Sequence, residues 1–283
     1  MSNRRTQRPK PAADVDAIRV VVVVSDLHCG SPFGLCPPDS PTADGSGYRL
    51  NRAQEWLWGR WQCDLAEWVP SVVGRRPWAL VVNGDAIEGN HHGSLQLVHG
   101  DPNVHGRIAY ECLLPLAARA SKVFLVRGTE SHVGTAESVL GERLGAVRDP
   151  TTGDYCWEQI SLRISGTACS FRHHMATSLR PWTAGGGLAA AIVQEQAVAA
   201  GFGHPVPRVV VRSHRHRFGV YTGAEGLMLA TAPWQLMTRY ARRVTQQSIT
   251  PVGIAALDFR GEAPRVLHTL HTPDPDPVIE LSP

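Results

Sequence analysis

The chain has 283 residues, of which 43% are apolar and 19% charged, with a net charge of +3 at pH 7. That length allows one large α/β domain or two small ones with ample core, and so small a charge excludes a general electrostatic claim on nucleic acid. No apolar region before Ile18 could serve as a signal peptide, and no unbroken apolar stretch of about 18 residues follows, so a soluble cytoplasmic protein is expected.

Residues 1–17 carry Arg4, Arg5, Arg8 and Lys10 and read as a disordered basic arm, while 272–283 form a Pro-rich acidic tail. Between them, 18–271 reads as a single domain, with no internal repeat and no linker. Six cysteines are scattered without a Cys-x-x-Cys pair, so buried free thiols are expected rather than a thiolate zinc site or a redox dithiol. Thirteen histidines, several of them clustered, are the compositional oddity.

Val20–Val24 is short, β-branched and continuously apolar, which predicts a strand buried on both faces. It runs into Ser25-Asp26-Leu27-His28, and on an extended backbone Asp26 and His28 would project to one side. A carboxylate and an imidazole meeting at a carboxyl strand end suit a divalent metal. Residues 31–47, dense in Pro, Gly, Ser and Asp, predict a long surface loop. Ala53, Leu57, Trp61, Leu65 and Trp68 recur at helical spacing as a core stripe, with Pro70 as the stop.

Residues 78–82 predict a second buried strand, ending in Asn83-Gly84-Asp85, where glycine permits a close turn. Residues 107–120 read as a helix that Pro115 must kink or divide. Lys122–Val126 is a third buried strand, ending in Gly128-Thr129-Glu130-Ser131-His132, and a helix over 136–146 follows. Strand, helix, strand, helix, strand with right-handed crossovers predicts parallel pairing.

In the second half, strands are expected over 157–164 and 167–172, the latter ending in His173-His174. A helix runs from the glycines at 185–187 to about 199, and a strand over 208–212 ends in Ser213-His214-Arg215-His216. Further strands near 220 and over 227–230, 253–259 and 265–270 complete two packed sheets. The triple glycine lacks a following Gly-Lys-Ser/Thr, so it is not read as a phosphate-binding loop.

Five strand ends thus carry candidate ligands: Asp26 with His28, Asp85, the turn from Thr129 to His132, His173 or His174, and His214 with His216. In this order they resemble the calcineurin-like metallophosphoesterases over about residues 19–217, most closely the phage and prophage members, where an Arg-Gly-Thr-x-x-His third motif also occurs. The resemblance implies a sandwich of two mostly mixed β-sheets with flanking helices and a dinuclear metal site hydrolysing phosphomonoesters or phosphodiesters. By position, Asp26, His28 and His216 would hold the first ion, Asp85 would bridge, and His173 and His214 would hold the second. Two ions about 3.5–4 Å apart can clamp phosphoryl oxygens and supply a bridging hydroxide for in-line attack. The donors suit Mn, Fe, Zn or Co, with Mn favoured by the resemblance.

The third motif departs from the family's usual Gly-Asn-His-Asp/Glu. Thr129, a poorer neutral donor, stands where an Asn ligand is usual, Glu130 is the alternative replacement ligand, and by the resemblance His132 would take the general-acid role, displaced along the turn. His173 is preferred to His174 because it comes first after its strand. His91 and His92, in a Gly89-Asn-His-His decoy, read as supporting or substrate-side residues or as solvated loop. Arg127, Arg172, Arg212, Arg215 and Arg217 flank the motifs, where an arginine can grip phosphate through two hydrogen bonds. The expected partner is a phosphate ester, with nucleic acid or a nucleotide among the candidates, and no membrane. The altered third motif motivates an alternative, a non-catalytic metal-binding scaffold or nucleic-acid-associated protein on the same fold. A structural zinc protein is disfavoured because closed zinc sites typically use cysteines.

Overall fold

The computed structural model describes residues 17–41, 46–90, 96–130, 135–175, 184–244 and 249–274; most of the basic arm and the tail beyond 274 lie outside them. Five consecutive valines make β1 (Val20–Val24). Their branched side chains suit a pleated surface, and such a run has no polar face to offer water. Accordingly β1 is central, parallel to β4 (Ala79–Asn83) and antiparallel to β11 (Val252–Asp258). With β5 (Lys122–Val126) and β12 (Arg265–His271) the first sheet runs β12-β11-β1-β4-β5.

The second sheet runs β6-β7-β8-β10-β9, built from β6 (Ile160–Ile164), β7 (Thr167–Phe171), β8 (Val209–Arg212), β9 (Gly219–Gly223) and β10 (Gly226–Ala230). Its three inner strands are parallel and its two edges antiparallel. A small ribbon joins β2 (Ser40–Pro41) to β3 (Gly47–Tyr48). Two five-stranded mixed sheets with flanking helices are therefore what the chain forms, as expected.

Alternation along β1 assigns its valines to two cores. Val21 and Val23 pack between the sheets with Phe171, Val209, Val211 and Leu229. Val20, Val22 and Val24 face the helical layer, with Trp61, Ile108, Leu113 and Leu140. That layer comprises α1 (Arg52–Cys63), α2 (Val69–Val73), α3 (Pro102–Ala117) and α4 (Ala136–Leu144). On the far side α5 (Ala184–Gly201) lays Leu188 and Ile192 over Val210 and Met228. The short α6 (Arg239–Val244) precedes β11. Among the described residues no helix is long and apolar enough to cross a membrane.

Three local expectations are corrected. Pro70 does not stop the first helix: the chain widens into a π-helical turn at Asp64–Trp68 and resumes as α2, with Pro70 in its first turn. The helix is continuous there, with the Val69 N–H donating to the Asp64 carbonyl, and the carbonyl of Leu65, five residues before Pro70, accepts from Arg119 instead. Of the two outcomes expected at Pro115, division does not occur: α3 starts earlier, capped by Asp101, and runs unbroken through Pro115 to Ala117. The loop after β1 is not wholly superficial: Leu35 and Cys36 are buried, and the Leu35 N–H donates to the Leu27 carbonyl. Asn51, which caps α1, donates from its amide to the Pro32 carbonyl, tying that helix to the same loop.

Candidate metal centre

The polar cluster lies at the carboxyl ends of β1, β4, β5, β7 and β8, where both sheets present their strand ends together. A hydroxyl network joins those ends. Ser25 and Ser213 each lie within 2.7 Å of the Thr231 hydroxyl, and the Asn83 amide donates to Ser213 at 2.6 Å. Ser25 also donates to Asp26 Oδ2 at 2.5 Å.

Asp26 and His28 do converge, although not because the backbone stays extended. β1 ends at Val24, and both residues adopt left-handed backbone, with φ of 50° and 45°. Asp85 (50°), His214 (72°) and His216 (49°) do the same. Such conformations are uncommon outside glycine and cluster at functional sites, with Asp and His among the residues that enter them most readily. The kinked β1 end lies along the β4 end: the Asp26 N–H donates to the Gly84 carbonyl and the His28 N–H to the Asp85 carbonyl. Gly84 itself (φ 88°) has no room for a Cβ, which would fall 2.4 Å from the His173 ring.

Asp26, His28, Asp85 and His173 are all buried. His173 Nε2 lies 3.0 Å from Asp85 Oδ2, and His28 Nε2 lies 3.8 Å from that same oxygen. His216 Nε2 is 3.1 Å from His28 Nε2 and 3.4 Å from Asp26 Oδ1. Metal bonds of about 2.0–2.1 Å place two nitrogens on one ion roughly 3 Å apart, so the His28–His216 separation fits a shared ion. Three donor groupings are close enough to hold ions: Asp26 with His28 and His216, Asp26 with Asp85 and His173, and His173 with His174 and His214.

The imidazoles are aimed by partners on their other nitrogens. His28 Nδ1 donates to Glu88 Oε2 at 2.7 Å, and His173 Nδ1 donates to the Asn83 carbonyl at 2.8 Å. Both acceptors lack a proton to give, so Nε2 is the nitrogen each ring presents to the cluster. Burial disfavours charge on His28, but Glu88, Asp85 and Asp26 outweigh it and raise the ring to about 9. Burial likewise opposes the Asp85 hydrogen bond and the charges on Asp85 and Asp26 at His173, which is also raised to about 9. His214 is pushed down to about 4 by burial and by His173 and His174, and is neutral at pH 7. Burial raises the Asp26 carboxyl, yet His216 and His173 prevail and hold it below its usual range. Carboxylates in this setting require positive charge, which protonated imidazoles or a metal can provide.

In the third-motif turn the described residues end at Glu130. Glu130 is exposed and belongs to none of the donor groupings. Thr129 faces the cluster instead. Its N–H donates to Asp85 Oδ1 at 2.6 Å, and its hydroxyl donates to Asp85 Oδ2 at 3.2 Å and accepts from His214 Nδ1 at 3.2 Å. His132, His91 and His92 lie outside the described residues. Of the flanking arginines, Arg127 pairs with Asp154 and Glu158 and Arg212 with Glu195, which makes both structural. Arg172 reaches Gln159, and Arg215 donates to the Met175 carbonyl.

Two buried acids escaped the sequence reading. Glu88 aims His28. Glu137, at the start of α4, accepts from the Ala86 N–H through Oε1 and from the Gly128 N–H through Oε2, each at 2.8 Å. It therefore braces the turns that carry Asp85 and Thr129 from behind, and burial together with the Asp85 charge raises it to about 7. A signal was present: Glu137, Leu140, Gly141 and Leu144 form the buried stripe of α4, so an acid stands at an apolar position.

Beside the cluster an open groove of about 970 Å³ runs between α5 and the outer face of β6 and β7, with His174 at its wall. Arg163 and Arg172 supply cationic groups, His204 an imidazole and Phe202 an exposed aromatic ring.

No family model matches the chain, and no curated protein matches it. Among solved structures it is similar to a novel archaeal phosphodiesterase, at 13% identity over 88% of this chain and 99% of that one, with a TM-score of 0.44. It is similar also to the phosphoesterase YfcE of E. coli, at 14% identity over 84% and 88% of the two chains, with a TM-score of 0.42. A third is the zinc complex of wild-type Vps29 from Entamoeba histolytica, at 11% identity over 89% and 98%, with a TM-score of 0.35.

Proposed function

We propose that the chain is a metal-dependent phosphoesterase acting on phosphomonoesters or phosphodiesters, with nucleotides or nucleic acid among its candidate substrates. The observation that carries this reading is the donor set itself: Asp26, His28, Asp85, His173, His214 and His216 reach one place from separate strand ends. Asp26, His28 and His216 would hold one divalent transition ion, with His173 and His214 on a second and Asp85 between them. Mn, Fe, Zn and Co all suit these nitrogen and oxygen donors. When bound, such a pair supplies Lewis acidity toward the phosphoryl oxygens and a water acidified for attack at neutral pH.

The chain's own residues do the rest. Glu88 and the Asn83 carbonyl fix the His28 and His173 rings, Thr129 links His214 to Asp85, and Glu137 holds the two turns in register. Arg172 and Arg163 in the adjoining groove suit the charge of a substrate extending beyond its scissile phosphate. A second reading, a metal-binding scaffold without turnover, draws on Thr129 standing where an amide ligand is usual.

Nitrophenyl phosphate and its bis-ester, assayed with added Mn, test the choice. Hydrolysis by the native chain and its loss in Asp85→Asn, together with loss of metal, are expected. A full rate in that variant overturns the mechanism, and metal uptake without hydrolysis across a substrate panel selects the scaffold.

A further inference from the structure

The second half of the donor cluster lacks a strong ligand where Thr129 stands. Its hydroxyl hydrogen is engaged by Asp85 and its oxygen by His214 Nδ1, so Thr129 already serves as an orienting link. Glu130, the other described residue of that turn with a suitable donor, is exposed and outside the groupings. Among the described residues one unassigned donor remains at this end. His174 has its ring centroid 4.6 Å from that of His214 and 5.0 Å from that of His173, at 65° and 76° between planes. Suitable donor atoms of all three lie within 4.8 Å of one another.

We infer that His174 is a ligand of the second ion, which is held by three histidines, His173, His174 and His214, together with Asp85. This rests on the metal-dependent reading above. Two adjacent histidines then share the work: buried His173 enters from below with its Nδ1 anchored on Asn83, and His174 enters from the solvent side at the head of the groove. An imidazole replaces a neutral oxygen donor, and borderline divalent ions favour that exchange. Four protein donors on the second ion match the four offered to the first by Asp26, His28, His216 and the shared Asp85. The alternative role for His174, a groove residue that touches only substrate, leaves metal binding untouched.

Metal-free protein titrated with Co²⁺, followed by calorimetry and by visible absorption, separates these roles without any turnover. The native chain is expected to take two ions. His174→Ala should keep the first and weaken the second by about tenfold or more, with a changed Co²⁺ spectrum. His173→Ala serves as the reference for losing a buried ligand. Because His174 is exposed, its truncation opens no core cavity, and circular dichroism checks the fold. Two ions at native affinity in His174→Ala overturn this inference alone, including the case where only KM for a phosphodiester rises. No ion in the native chain overturns the metal-dependent reading together with it.

Discussion

His28 and His173 each have Nδ1 tied to an oxygen that can only accept, deep in the protein, whereas His214 leans on a hydroxyl and His174 stands at the surface. The first pair lies against the strand ends of the first sheet, with Glu88 and Asn83 behind it. The second pair belongs to the side that opens onto the groove. One side of the cluster is thus built before any ion arrives, and the other retains freedom to adjust. Carboxylates drive the imidazoles of the first pair toward protonation against the opposing effect of burial, while burial and neighbouring rings keep His214 neutral. Affinity should therefore reside mainly on the rigid side and adaptability on the exposed one.

The sharpest way to break that contrast is to remove the anchor of His28. Glu88→Gln keeps the shape but loses the charge that orients the ring, and the tighter of two metal-binding steps should weaken by about 10–100-fold. Unchanged affinity in a metal titration would show that the ring needs no such anchor.

A smaller effect should appear in the pH dependence of the metal-free protein. His28 and His173, raised to about 9 from an ordinary value near 6.5, bind protons more tightly in the folded chain. Their contribution is complete below about 6.5 and is lost as the pH climbs through 9. His214, lowered to about 4, has the opposite sign: its contribution is present above about 6.5 and is lost as the pH falls toward 4. With a chelator present, the thermal midpoint should drop between pH 6.5 and 9, and saturating Mn should flatten that limb. A midpoint that rises over this window contradicts the assignment.

The smallest effect is expected at Arg127, whose partners Asp154 and Glu158 lie away from the cluster. Arg127→Ala should cost about 1 kcal/mol or less in denaturant unfolding and leave hydrolysis unchanged, as for other part-exposed ion pairs. A large fall in rate would place it on the substrate instead.

Much of this was legible in the residues. The apolar runs of β1 and β4 were readable because both faces of each are buried, and that of β5 because its run stays apolar although one face is only half-buried. The convergence of Asp26 with His28 was also readable, but for the wrong geometric reason. Alternation along an extended strand was the expected cause, and paired left-handed residues beyond the strand are the actual one. No local propensity encodes that, since it follows from the hydrogen bonds to the neighbouring strand end. Glu130 was preferred to Thr129 on ligand chemistry alone, whereas the packing of the turn on Asp85 decides which side chain faces inward. Pro70 misled because the π turn before it is a tertiary accommodation.

The left-handed backbone at Asp26, His28, Asp85, His214 and His216 has a consequence for the chain's history. Each such residue costs on the order of 1–3 kcal/mol relative to relaxed backbone, and glycine or asparagine would relieve part of that cost. In the proposed metal-binding role, the five positions hold function against a standing thermodynamic pull. A lineage released from metal binding would drift toward Gly and Asn at these sites first, gaining stability as it lost chemistry.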